Sequence, residues 1–220
     1  MFFSTIAVYG QTRREIVSED SPACPDTYYA KTKLAAEHIV LNARRADGQL
    51  LGTVLRLGAV YGSRVKANYL RLVQALSRKW FIPIGKGMNR RTLVYDKDVA
   101  KATMIAMQHP AAAGKIYNVT DGQFHSVNEI IKAICQVLGR KSPKFYLHLR
   151  PVKMAANLAD GIVGLVGLSS PGLKDALSKY CEDVAVDGSR IMRELGFIPE
   201  YDLWEGWKET IQEMREKGYL

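Results

Sequence analysis

Short β-rich apolar runs that close on glycine or a turn, alternating with stretches of helical periodicity, most restrict what this 220-residue chain can fold into. Phe2 to Tyr9 is mostly apolar and closes on Gly10, so it reads as a buried strand and turn. Tyr28 to Arg45 has helical spacing, with Leu34, Ala35, His38 and Leu41 on one face, and Asp47-Gly48 ends it. Leu51 to Gly62 is β-rich and again closes on glycine. Helical patterns at Tyr69 to Arg78 and Asp98 to Gln108 alternate with strands at Thr92 to Tyr95 and Ile116 to Val119. Val127 to Leu138 reads as a helix opened by Ser126 as N-cap, with Glu129 three residues on. Strands that alternate with helices predict an α/β domain with a mostly parallel sheet. After residue 122 the pattern turns helix-rich and less regular, which predicts a second lobe.

Hydrophobic residues make up 47% and charged residues 24%, the balance of an ordinary globular protein. The formal net charge of +9 favours phosphate-bearing partners. The basic residues are scattered, as at Arg13-Arg14, Arg44-Arg45, Arg90-Arg91 and Lys141, with no dense basic arm, so no nucleic-acid partner is expected. Cys24, Cys135 and Cys181 form no CxxC pair and read as reduced thiols of a cytoplasmic protein, with no metal site. The opening Met1-Phe2-Phe3-Ser4 lacks the basic region of a signal peptide.

Tyr29 and Lys33 lie four residues apart on a predicted helix and share a face. An ammonium close to a phenol favours the phenolate, and a phenol so tuned can act as acid or base near neutral pH. The spacing alone also suits a surface lysine beside a half-buried tyrosine. Around it stands an ordered series: Ser4-Thr5-Ile6-Ala7-Val8-Tyr9-Gly10, YAKTKLAAE at 29–37, Arg56-Leu57-Gly58-Ala59-Val60-Tyr61-Gly62, the Arg91 to Ala100 stretch RTLVYDKDVA, Tyr117-Asn118-Val119, and a closing segment with Asp187-Gly188-Ser189-Arg190 and Glu194-Leu195-Gly196-Phe197.

This series resembles the extended short-chain dehydrogenase/reductases of the NAD-dependent epimerase/dehydratase family, over nearly the whole chain. The resemblance implies part of a Rossmann-type doubly wound parallel sheet at 1–62 and 96–121, and a substrate-binding lobe at 63–95 and 122–220. It implies that Thr5 hydrogen-bonds the reacting sugar oxygen and Tyr29 exchanges its proton. Lys33 would hold the nicotinamide ribose, and Leu57, Gly58 and Val60 would line the nicotinamide of NAD; NADP is not distinguished. Arg91, seven residues before Asp98, would clamp the substrate diphosphate, unless it pairs with Asp96 or Asp98 instead. Asn68 would reach the nucleotide phosphates, and the backbone of Phe81 to Ile84 the base. Lys179 is a further phosphate contact or a solvated lysine.

Ala59 stands where many relatives carry Asn. Ile6 and Ala7 stand where sugar dehydratases place an acidic pair, so the resemblance implies a nucleotide-sugar 4-epimerase, acting on a UDP-hexose, a UDP-N-acetylhexosamine or a polyprenyl-linked sugar through a 4-keto intermediate. A 4-keto-sugar reductase and a sugar-nucleotide- or partner-binding fragment without turnover are the alternatives. The Gly-rich pyrophosphate turn expected well before Thr5 is not found there. Gly161, Gly164 and Gly167 have the literal spacing but follow a predicted helix, not a strand. Their apolar surroundings, GIVGLVGL, suit peripheral contact with a membrane or a lipid-linked substrate. An N-terminally truncated chain is therefore expected, one that binds NAD poorly alone, exposes a sheet edge, and forms a weakened homodimer.

Overall fold

The computed structural model describes residues 1–12, 15–62, 67–78, 81–155 and 173–220; of residues 67–68 and 173–176 it describes only the backbone. The strands, in order, are β1 (Phe2–Thr5), β2 (Ile16–Val17), β3 (Val54–Leu57), β4 (Ala59–Tyr61), β5 (Arg90–Arg91), β6 (Leu93–Tyr95), β7 (Ile116–Val119), β8 (His125–Ser126) and β9 (Ala185–Val186). The helices are α1 (Tyr28–Leu41), α2 (Ala67–Ser77), α3 (Asp96–Gln108), α4 (Val127–Val137), α5 (Leu173–Cys181), α6 (Ser189–Leu195) and α7 (Leu203–Glu216), and residues 149–155 are also helical.

β1, β3 and β7 form a parallel sheet in the order β1-β3-β7. The register aligns Phe3 with Leu55 and Tyr117, Ser4 with Arg56 and Asn118, and Thr5 with Leu57 and Val119. Alternate residues face opposite sides. Leu55, Tyr117 and Val119 join an apolar cluster with Ala102 and Ala106 of α3 and Ile191 and Leu195 of α6. On the other face Arg56 meets Glu37 of α1. Helices therefore cover both faces, as a parallel sheet requires. A second cluster gathers Tyr61, Val73, Leu93, Tyr95, the buried face of α4 and Trp207 and Ile211 of α7.

Several expected elements change at their ends. The run Phe2 to Tyr9 is not one buried strand. The Thr5 hydroxyl accepts the Ala7 amide at 3.2 Å and starts a 3-10 turn over Ile6–Tyr9. Gly10 closes that turn at φ +65°, and a Cβ there would lie 2.0 Å from the Cys24 carbonyl oxygen, so no larger residue fits. Among the described residues β1 is the edge strand of its sheet, and Phe3 is 46% exposed. The helix at Tyr28 stops at Leu41 rather than running to Arg45, where residues 43–51 turn back on themselves through the Arg44–Leu50 bridge. The stripe Leu34, Ala35, His38, Leu41 is not the packed face, since Ala35 and His38 are exposed. α1 instead buries Ala30 and Glu37. The Ser126 cap forms as expected: Ser126 Oγ accepts the Glu129 amide at 3.1 Å and Glu129 returns a carboxylate to the Ser126 amide at 2.7 Å.

No helix among the described residues is long and apolar enough to cross a membrane, and no cluster among them suits a metal ion. Gly161, Gly164, Gly167 and their apolar neighbours lie outside the described residues.

Candidate active site

Parallel α/β sheets place ligands at the carboxyl ends of their strands. Thr5 ends β1 there, beside Leu57 at the end of β3. α1 returns from that end, with Thr27 capping it by accepting the Ala30 amide at 3.2 Å. Tyr29 therefore sits in the first turn and Lys33 one turn on. The Lys33 ammonium lies 5.9 Å from the centroid of the Tyr29 ring and 4.8 Å from that of Phe2, and donates to the Phe3 carbonyl at 2.8 Å. The structure thus brings Lys33 to both Tyr29 and β1. The Tyr29 ring is 56% exposed, open to a partner from solvent. Val60 is also exposed, whereas Gly58 is buried. A Cβ on Gly58 would stand 3.1 Å from the Thr92 carbonyl, so close strand approach accounts for this glycine without a ligand.

That approach joins the first half of the site to a second. The Ala59 amide donates to the Thr92 carbonyl at 2.9 Å, next to Arg91. Arg91 does not pair with Asp98, whose buried carboxylate accepts the amides of Glu200 (2.8 Å) and Tyr201 (3.2 Å). Its Nη2 instead donates to the carbonyls of Lys179 (2.5 Å) and Tyr180 (3.0 Å) at the end of α5. A helix C-terminus offers unpaired carbonyls and negative potential, which suit a guanidinium. A guanidinium carries five N–H donors, so two bonds through one nitrogen do not exhaust it. Burial pushes the Tyr69 phenol up to about 12, with the Arg91 charge opposing. Burial also raises the Glu182 carboxyl, again opposed by Arg91. Burial raises the Tyr180 phenol, with the Ile84 backbone opposing. Asn68 lies in α2, and its side chain is outside the described residues; Lys179 is exposed.

Two features escaped the sequence. Residues 89–92 are laced to 180–186. Asn89 donates to the carbonyls of Tyr180 and Glu182, Arg90 pairs with Asp183 at 2.6 Å, and Thr92 Oγ1 donates to the Val184 carbonyl while accepting the Val186 amide. The second is a buried ion pair beneath Thr5. Glu37 accepts Arg56 Nη2 at 2.6 Å and Nε at 3.0 Å, and also accepts the Ser4 hydroxyl. The available signals were Glu37 one turn after Lys33 and an arginine interrupting the apolar run of β3.

The fold and the site define an α/β protein with a parallel sheet of the Rossmann type and a tyrosine–lysine pair at its carboxyl end. The chain belongs to the NAD dependent epimerase/dehydratase family, whose model matches residues 1–120. It is 23% identical, over 96% of its length and 64% of the relative's, to an N-acetyl-alpha-D-glucosaminyl-diphospho-ditrans,octacis-undecaprenol 4-epimerase of Escherichia coli O157:H7. It is 26% identical, over 96% of its length and 62% of the relative's, to a UDP-glucose 4-epimerase of Vibrio cholerae. The chain thus spans less than two thirds of these relatives. Among solved structures it resembles MoeE5 in complex with UDP-glucuronic acid and NAD, at a TM-score of 0.72 and 25% identity, over 98% of this chain and 64% of that one.

The residues present suit one end of NAD. Tyr29 and Lys33 offer a hydroxyl and an ammonium on one exposed helix face. Among the described residues, no strand-to-helix turn carries the Gly-rich spacing that would cradle the pyrophosphate.

Proposed function

We propose that this chain serves a sugar 4-epimerase whose substrate is a hexose or N-acetylhexosamine linked to a nucleoside diphosphate or to a polyprenyl diphosphate. The observation that carries the reading is the Lys33 ammonium 5.9 Å from the Tyr29 ring centroid, at the sheet end where Thr5 stands. NAD, when bound, supplies the hydride acceptor and donor. Tyr29 removes and returns the proton of the sugar hydroxyl, and Thr5 hydrogen-bonds that oxygen. Lys33 holds positive charge beside the phenol and reaches the nicotinamide ribose, while Leu57, Gly58 and Val60 line the nicotinamide. Arg91 binds the diphosphate, with Asn68 on the nucleotide phosphates and Ile84 at the base. Epimerisation needs only a reversible oxidation and a ketone free to present its other face. Ile6 and Ala7 supply neither acid nor base for eliminating water. In this reading 1–62 and 96–121 hold the cofactor, and 63–95 and 122–220 hold the substrate. The activities for which the two 4-epimerase relatives are named support it.

The test titrates the protein with UDP-N-acetylglucosamine in the presence of NAD and follows the sugar by proton NMR. The expected result is binding of the sugar nucleotide, with slow appearance of the 4-epimer at NAD concentrations high enough to offset weak cofactor binding. Tyr29→Phe should bind the sugar nucleotide equally but lower kcat by roughly a hundredfold or more, the usual share of a positioned acid–base group. Unchanged turnover in Tyr29→Phe, or no binding of any UDP, dTDP, GDP or polyprenyl-diphosphate-linked sugar, refutes the reading. Oxidation of NADPH by a 4-keto sugar without epimer exchange would mark a reductase instead.

A further inference from the structure

We infer that Glu37 and Arg56 are positioning residues, which fix Thr5, Tyr29 and Lys33 relative to one another through a buried polar row beneath the site. The inference rests on the proposed function only in taking those three groups as the proton-handling ones.

Ser4, Arg56 and Asn118 are register partners on adjacent strands and lie on one face of the sheet. All three are buried, at 4%, 4% and 0% exposure. An apolar row here would be the simpler core, because taking charges from water costs more than pairing them commonly returns. The row is nevertheless fully engaged. Glu37 of α1, 1% exposed, accepts Arg56 through two nitrogens and Ser4 through its hydroxyl. The Arg56 guanidinium stands 4.8 Å from the centroid of the Tyr9 ring, and the Tyr9 hydroxyl donates to Asn118 Oδ1 at 2.8 Å. Asn118 Nδ2 donates in turn to the Asp187 carbonyl. One set of bonds thus ties β1, β3, β7, α1 and the 3-10 turn after Thr5.

The placement of the row gives it its consequence. Tyr29, Lys33 and Glu37 recur every four residues, so they follow one another along one helix face. Ser4 immediately precedes Thr5. A slip of β1 by one residue against β3 would carry Thr5 to the opposite face and leave Glu37 opposite the wrong residue. Apolar side chains tolerate sliding, whereas a two-pronged guanidinium–carboxylate bond is satisfied in one geometry. The same bond sets the height and rotation of α1, and with them the reach of Lys33.

The test removes the charges together, since removing one would leave the other buried and unpaired. Ser4→Ala/Glu37→Met/Arg56→Met replaces the cluster with apolar groups of similar length. Two readouts apply. In protein labelled at lysine Cε, with the Lys33 resonance assigned by Lys33→Arg, the Phe2 and Tyr29 rings should shift that signal in the wild type. We expect the triple variant to unfold cooperatively near the wild-type temperature, yet to lose or split the shifted signal. We also expect kcat for epimer exchange to fall at least tenfold, with KM for the sugar nucleotide unchanged because Arg91 lies outside the row. A stable variant that keeps a single shifted Lys33 signal overturns the inference, as does unchanged kcat. If the triple variant does not fold, Arg56→Lys keeps the charge pair but gives up the two-pronged bond. It should split or broaden the Lys33 signal, and an unaltered signal there overturns the inference equally. If the wild type shows no turnover, the proposed function fails, while the Lys33 signal still decides the positioning role.

Discussion

Replacing Thr92 by Val should unzip the contact between the residue preceding β6 and the 184–186 segment that contains β9, without altering shape. Thr92 is 1% exposed, and its hydroxyl accepts the Val186 amide at 2.9 Å and donates to the Val184 carbonyl at 3.1 Å. Valine fills the same volume but can do neither. A buried polar group left without a partner costs about 1–3 kcal/mol, and here an amide and a carbonyl are both affected. The methyl that replaces the hydroxyl returns roughly 0.8 kcal/mol of apolar burial. The net expectation is a loss of about 1–5 kcal/mol. For a chain of this length that lowers Tm by roughly 2–20 °C, at about 2–4 °C per kcal/mol. Urea unfolding should show a lower midpoint with unchanged m, because the surface exposed on unfolding is the same. Hydrogen exchange supplies the local readout: the Val186 amide should exchange at least tenfold faster, beyond any change common to the other β-strand amides. A loss under about 0.5 kcal/mol, the range of an ordinary surface substitution, with Val186 protection intact would refute the assignment.

Gly10→Ala should destabilise, although the same change in a helix interior stabilises, since φ +65° disfavours a side chain and the new Cβ would meet the Cys24 carbonyl; a cost under about 1 kcal/mol by urea unfolding would show that the turn moves aside freely. Stability should also fall in acid. Hydrogen bonds from Ser126 hold the Glu129 carboxyl, and a bond from Lys115 holds that of Glu194, below the ordinary value of 4.5. The folded state therefore favours their ionised forms, so their contribution is present above pH 4.5 and is lost as pH falls through the lowered values. Glu129→Gln should remove its share of this slope in Tm against pH, and an identical slope would refute the assignment. Burial raises Glu19 and Asp98, so both have the opposite sign, and their contribution changes above the ordinary values of 4.5 and 3.8 rather than below them.

The alternation of strand and helix was legible because each element carries its own period. β7 was read to the residue, and α4 to its cap, since Ser126 and Glu129 satisfy each other locally whatever the rest of the chain does. The end of β1 was not legible. The apolar run continues to Tyr9, but the Thr5 hydroxyl bends the backbone by taking the Ala7 amide, and hydrophobicity does not report that competition. The protein-side partner of Arg91 was not legible for a related reason, and the sequence left an ion pair with Asp96 or Asp98 open as the alternative to a diphosphate clamp. Asp96 and Asp98 are close in sequence, but Asp98 is committed to amides 102 and 103 residues away, and the end of α5 supplies the carbonyls instead.

The candidate site was legible in its chemistry and not in its support. Tyr29 and Lys33 are four residues apart, and helix geometry alone puts them on one face. Glu37 completes that face, yet periodicity assigned the packed side to Leu34, Ala35, His38 and Leu41. A carboxylate can be a core residue only where the opposing surface offers donors. Those donors come from Ser4 and Arg56, which become neighbours only once β1 and β3 pair in register. The burial of Glu37 is therefore a property of the sheet rather than of α1, and no window along the helix could have contained it. The register that buries Glu37 is also the one that sets Thr5 beside Leu57, so the groups that do the proposed chemistry and the groups that hold them depend on a single strand alignment.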